Sequence, residues 1–138
     1  MSREAGETIR FFIEEAFNKG NFLILEEVIH PEYRYSSPEG QLEGIDQLRD
    51  LIQGFRQGFP DLKLGIDDLF AAGNKVCTRF TLTGTHQGEY MGISSTEKPI
   101  KVTGVVISRL KDGKIIEEWE ILDMLGFFQQ LGLVPELS

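Results

Sequence analysis

Apolar residues recur with the period of a helix in the first half of the chain and with the period of a strand in the second. Ile9, Phe12, Ile13, Ala16 and Phe17 fall at i, i+3, i+4, i+7 and i+8, which predicts an amphipathic helix buried along one stripe. Gly20 ends it, because glycine accepts the left-handed backbone past a helix end. Asn21 can cap a shorter second helix that buries Phe22, Leu25, Val28 and Ile29, and Pro31 ends that one. A third stripe, Ile45, Leu48, Leu51, Ile52 and Phe55, follows Gly44.

From Pro60 the period changes to two. Leu62, Leu64 and Ile66 alternate with Lys63, Gly65 and Asp67, and Gly73-Asn74 marks a turn. Residues 75–85 predict a long strand with Val76, Thr78, Phe80 and Leu82 on one face. Strands at 100–110 and 115–122 flank Lys111-Asp112-Gly113-Lys114, whose Asp-Gly is a strong hairpin signal. A short apolar helix over 124–131 closes the pattern, with Gly132 past its end. Helices first and long antiparallel strands afterwards predict a single α+β domain over 1–138, not an alternating βαβ fold. The 86–99 loop, rich in Gly, Ser, Thr and Pro, is long enough to serve as a lid or rim.

Composition narrows the function classes. The 138 residues carry 14 Lys and Arg against 22 Asp and Glu, a formal charge of −8. Neither nucleic acid nor an anionic membrane surface attracts such a chain. Residues 1–70 hold 7 basic and 14 acidic side chains, so the excess sits on the helical half, as solvated helix faces. The N-terminus Met1-Ser2-Arg3-Glu4 has acid where a signal peptide has a positive flank, and no apolar run approaches membrane-spanning length. A cytoplasmic protein is the expectation. Cys77 is the single cysteine and reads as a buried structural thiol. His30 and His86 lie in no zinc-ligand spacing, and no glycine-rich nucleotide loop is present, so neither a metal nor a nucleotide cofactor is expected.

The chemistry concentrates in Ile115-Ile116-Glu117-Glu118-Trp119-Glu120-Ile121-Leu122-Asp123. On a strand, Glu117, Trp119, Ile121 and Asp123 share one face while Glu118 and Glu120 share the other. Burial beside Trp119 and Ile121 would raise the pKa of a carboxyl on the first face and suit it to proton transfer near neutrality. Asp123 also stands where a helix N-cap belongs, and from spacing alone capping leads; position 126 is Gly, so no capping box completes that signal. The bland reading of Glu117, Glu118 and Glu120 is a solvated or interface face. His86 ends the long strand on the parity of Phe80 and Leu82, and is either a satisfied strand-end histidine or a hydrogen-bonding group for a substrate. Arg79 interrupts an apolar strand and is either an oxygen-binding cation or the partner of a cross-strand acid such as Glu117.

Several segments together resemble the SnoaL-like polyketide cyclases, or ester cyclases, of the NTF2-like superfamily. They are Phe59-Pro60-Asp61-Leu62, Gly84-Thr85-His86, Gly88-Glu89-Tyr90-Met91-Gly92-Ile93, Arg109, Asp112-Gly113-Lys114-Ile115 with Glu117 and Trp119, Asp123, and Gln130-Leu131-Gly132. Asn74 and Ser95 depart from the family pattern at a turn and at the rim. The resemblance implies a cone in which a curved antiparallel sheet wraps around N-terminal helices and encloses an apolar pocket. It also implies a cofactor-free aldol-type cyclisation of a polyketide-like ester. Asp123 matches the family's acid/base and His86 the residue that would bind a substrate carbonyl. Trp119, Arg79, Tyr35, Phe55, Phe59 and Met91 would line the pocket around a small hydrophobic carbonyl compound. A homodimer through the outer face of the sheet is implied as well. The alternatives are a non-catalytic binding or dimerisation module, and an isomerase, dehydratase or epoxide hydrolase using the same pocket.

Overall fold

The computed structural model describes residues 4–133; residues 1–3 and 134–138, and with them both ends of the expected 1–138 domain, lie outside the described residues. Helix α1 (Ala5–Phe12) widens into a π-helical turn at Ile13–Asn18, and Gly20 closes it at φ +70°. The predicted stripe is the buried one, with Ile9, Phe12, Ile13 and Ala16 all inside. The second helix is a 3-10 turn (Phe22–Ile24) running into α2 (Leu25–Val28). Asn21 does not cap it; its side-chain amide donates to Glu15 instead. Helix α3 (Gly44–Gly58) buries Leu48 and Ile52 from the third stripe.

Among the described residues six strands form one sheet: β1 (Ile29–Ser37), β2 (Gly40–Glu43), β3 (Lys63–Ala72), β4 (Lys75–Thr85), β5 (Pro99–Lys111) and β6 (Lys114–Leu122). Their order is β2-β1-β6-β5-β4-β3, with β2 and β3 at the free edges of a curved, unclosed sheet. All neighbours are antiparallel except β1 and β6, which run parallel with Tyr35 opposite Glu118. Asp112 and Gly113 turn the β5–β6 hairpin at φ +54° and +77°, the positive values a two-residue primed turn demands. Helix α4 (Met124–Gln130) follows β6 directly.

Strand β4 buries Val76, Thr78, Phe80 and Leu82 on the face expected of it, and β5 buries Ile100, Val102, Val106, Ser108 and Leu110. These pack on α1, α3 and α4 through Phe12, Ile52, Phe59 and Phe127 in one core. The α+β architecture is therefore as the helical and strand periods predict. Two local readings change. Strands β1 and β2 occupy residues that carried no strand signal, with Pro31 inside β1 at a shift of its register rather than acting as a helix stop. Cys77 is half-buried on the outer parity of β4 rather than enclosed.

Candidate functional site

Between the inner face of the sheet and the helices lies a cleft of about 310 Å³. Tyr35, Phe55, Tyr90, Leu122 and Met124 supply much of its wall; Ser37, Glu39, Gln41 and Met91 are also in it. Glu120, Tyr35, Leu51 and Phe55 connect it to a small inner void of about 40 Å³, walled by Ile9, Phe12, Ile13, Phe17, Phe80, Val106 and Glu118. Several of these side chains come from α1 and its π turn, a helical irregularity often found beside functional sites.

Two carboxylates stand on this inner face. Tyr35 donates its hydroxyl to Glu120 Oε1 at 2.7 Å, and Tyr33 donates to Glu118 Oε1 at 2.7 Å. Ser108 on β5 donates to the second oxygen of Glu118 at 2.6 Å. Burial among apolar walls pushes the Glu120 carboxyl up to about 7; the Tyr35 hydroxyl opposes the rise, while Glu118 and Glu39 add to it. Burial likewise raises Glu118, against the two hydroxyls that favour its charge. The same burial lifts Tyr33, Tyr35 and Tyr90 above the ordinary phenol range, so all three hydroxyls remain donors at neutral pH.

The parity of β6 is as the sequence sets it, but the two faces are exchanged. Glu118 and Glu120 point inward; Trp119 (41% exposed) and Ile121 (67% exposed) lie on the outer face with Val105 and Ile107. Trp119 therefore lines no part of the inner cleft, and the acids read as a solvated face are the enclosed ones. The physical reason is β1, which delivers two tyrosine hydroxyls that satisfy the carboxylates.

Asp123 is exposed and caps α4, accepting the Gly126 N–H at 2.9 Å through Oδ1. Glycine at 126 suits that role, since a Cβ there would lie 2.3 Å from Oδ2. Against the expectation of an inward-facing acid, its carboxylate is engaged by the helix terminus. His86 is fully buried, its ring stacked on Phe59 at 5.2 Å, and its Nδ1 accepts the Thr96 N–H at 3.2 Å. Among the described residues the Nε2 atom has no hydrogen-bond partner. With its backbone N–H bonded to Lys98 O and its carbonyl accepting from Glu97 N–H, the residue anchors the 86–98 loop. Phe59 is likewise enclosed, between His86, Tyr90 and Phe127. Arg79 is exposed on the outer parity of β4 and pairs with Asp68 at 2.6 Å rather than with Glu117, which pairs with Arg109.

Of the residues selected from sequence, Tyr35, Phe55 and Met91 meet in the cleft. Those missed are Glu120, Glu118, Tyr33, Tyr90 and Ser108. The alternation of Tyr33 with Tyr35 and of Glu118 with Glu120 was a legible signal, but only the pairing of β1 with β6 brings the two sets together. Among the described residues no cluster of three His, Cys, Asp or Glu side chains is placed to hold a metal, and no helix is long and apolar enough to cross a membrane.

Comparison with known proteins agrees with the architecture. TsrD from Streptomyces laurentii is similar at 30% identity over 97% of this chain and 99% of its own, with a TM-score of 0.85. IdmH, a candidate polyketide cyclase from Streptomyces antibioticus, is 31% identical over 94% and 99%, with a TM-score of 0.82. AclR from Streptomyces galilaeus, a candidate hydroxylase, is 27% identical over 98% and 91%, with a TM-score of 0.83. No curated protein matches the sequence. The profile of the SnoaL-like polyketide cyclases matches residues 7–131, nearly the whole described chain, and the protein belongs to that family.

Proposed function

We propose that this protein is an acid/base enzyme that removes a proton alpha to a carbonyl in a small, mostly apolar substrate, with Glu120 as the transferring group. The observation that carries the reading is the Glu120 carboxyl on the wall of a largely apolar cleft, with Tyr35 donating to one of its oxygens; burial pushes such a carboxyl up to about 7, where it can both accept and return a proton. Ionised Glu120 takes the alpha proton, and the resulting enolate oxygen accepts a hydrogen bond from the Tyr35 or Tyr90 hydroxyl. In a cyclisation the enolate carbon then attacks a second carbonyl of the same molecule, and the new alkoxide takes the proton back from Glu120. Proton transfer and carbon–carbon bond formation are redox-neutral, so the scheme calls for no electron-carrying cofactor. The substrate class and the cyclisation are drawn from family membership.

Exchange of an alpha proton for deuterium in an aromatic β-keto ester, followed by NMR in D₂O, tests the scheme without the natural substrate. The wild type should accelerate exchange, and Glu120→Gln should lose on the order of 10²-fold or more. Asp123→Asn, which alters the α4 cap, should retain most of the rate. The reverse outcome in folded variants would move the base to Asp123. Binding of the ester with no exchange by the wild type would leave a ligand-binding module in place of an enzyme. We further infer that a second copy covers the outer apolar patch of Val105, Ile107, Trp119 and Ile121.

A further inference from the structure

The proposed chemistry uses one of the two inward carboxylates and leaves the other, Glu118, without a task. Glu118 is 6% exposed, and among the described residues no cationic side chain lines the cleft or the inner void. An unpaired carboxylate in such a place is costly unless hydroxyl or amide donors satisfy it. Both of its oxygens are satisfied, one by Tyr33 and one by Ser108. Glu120 differs: one oxygen accepts from Tyr35, and its side chain also borders the cleft. The two acids are alternate residues on one face of β6, about 7 Å apart along the strand.

Two carboxyls this close in an apolar wall resist carrying two negative charges at once. The asymmetry of their partners decides which one protonates first as pH falls. The member with two hydroxyl donors keeps the charge, and the member open to the cleft keeps the proton. We propose that Glu118 is a positioning residue, the charge-bearing half of a carboxyl pair whose other half, Glu120, holds the exchangeable proton at the cleft. The proposal rests on the catalytic reading of Glu120 only for its use, not for its physics. The other ionisable groups facing the pair are Tyr33 and Tyr35 from β1, Glu39 from the β1–β2 turn and Tyr90 from the 86–98 loop. The α1, α3, β3, β4 and β5 residues lining the cleft and void around it are apolar: Ile9, Phe12, Leu51, Leu64, Phe80 and Val106 among them. Burial is the main cause of the raised proton affinity of Glu120; Glu118 and Glu39 are the like charges that add to it, and Glu118 is the one on its own strand.

Glutamate side-chain carbonyl shifts of ¹³C-labelled full-length protein, followed from pH 4 to pH 9 without substrate, test this directly. In the wild type, Glu118 should already be ionised over the range in which Glu120 titrates; a Glu118 that is protonated at pH 7 would overturn the proposal. Glu118→Gln removes the neighbouring charge and should lower the Glu120 midpoint by about one pH unit. Should that variant fail to fold, Ser108→Ala withdraws one donor from Glu118, raises the pH at which Glu118 takes a proton, and should lower the Glu120 midpoint in the same direction. A purely structural Glu118 predicts an unmoved midpoint in every folded variant, and that result sinks the idea. If the midpoint moves while Glu120→Gln still catalyses exchange, the carboxyl pair stands and the assignment of the base falls.

Discussion

At the scale of single residues, burial and hydrogen bonding give Glu120 on β6 and Asp123 at the start of α4 opposite roles. Glu120 pays in stability for its place in the cleft. Its carboxyl is raised from 4.5 to about 7, so between those values the folded state binds the proton more tightly than the unfolded state. This group therefore favours the fold fully below about pH 4.5 and progressively less as pH rises to 7. Glu120→Gln should be more stable than wild type by on the order of 2–3 kcal/mol above pH 7, with the gap closing in acid. Parallel urea titrations at pH 4.5 and pH 8 measure it; an equal gap at both would contradict the assignment. Asp123 works the other way, as a cap. Asp123→Ala should cost about 1 kcal/mol. Gly126→Ala, ordinarily favourable within a helix, should cost a similar amount because its methyl displaces the capping carboxylate. The double variant should add little, since both remove one interaction.

At the scale of elements, the rim of the cleft depends on how the 86–98 loop is tied down. Gln87 and Gly88 N–H both donate to Gly58 O at 3.0 Å, joining the loop to the end of α3. A Cβ at Gly88 would lie 2.2 Å from Gln57 O, a backbone atom that cannot swing aside. Gly88→Ala should therefore separate the loop from α3 at a cost of about 1–3 kcal/mol. It should also loosen Tyr90, which stacks on Phe55 at 4.9 Å in the cleft wall. Denaturation gives the first effect, and hydrogen exchange confined to the loop and the end of α3 gives the second. Asp61, from the Phe-Pro-Asp-Leu segment, secures the neighbouring strand end by accepting the Thr85 N–H at 2.7 Å and its hydroxyl at 2.9 Å. That motif residue and His86 are anchors of this rim. Their sequence signals were legible; that they fasten a loop follows from contacts the sequence does not display.

At the scale of the whole molecule, the open sheet has one face covered by helices and one bearing exposed apolar side chains. Val105 pairs with Ile121 and Ile107 with Trp119, so the four form one block across β5 and β6. An exposed apolar block of this kind marks an interaction surface. Sedimentation velocity should find a dimer, and Trp119→Asp or Ile107→Asp should yield a monomer with unchanged circular dichroism. A wild type that stays monomeric at high micromolar concentration would leave this face without a second copy.

Local pattern by itself determined a great deal of this protein. The helical stripe from Ile9 to Phe17, the buried parity of β4, the Asp112-Gly113 hairpin and the pairing of Glu118 with Glu120 on one face all follow from periods of 3.6 and 2 and from turn chemistry. What it could not determine was which face of β6 looks inward. The usual rule buries tryptophan and exposes glutamate, and here the rule is reversed. Tyr33 and Tyr35 lie 85 residues before the acids they satisfy, on a strand whose His30, Pro31, Glu32 and Arg34 obscure its pattern. A buried carboxylate is tolerable only beside its donors, and the donors arrive only when β1 aligns with β6. Tertiary structure made that choice, and the cleft exists on the side it chose.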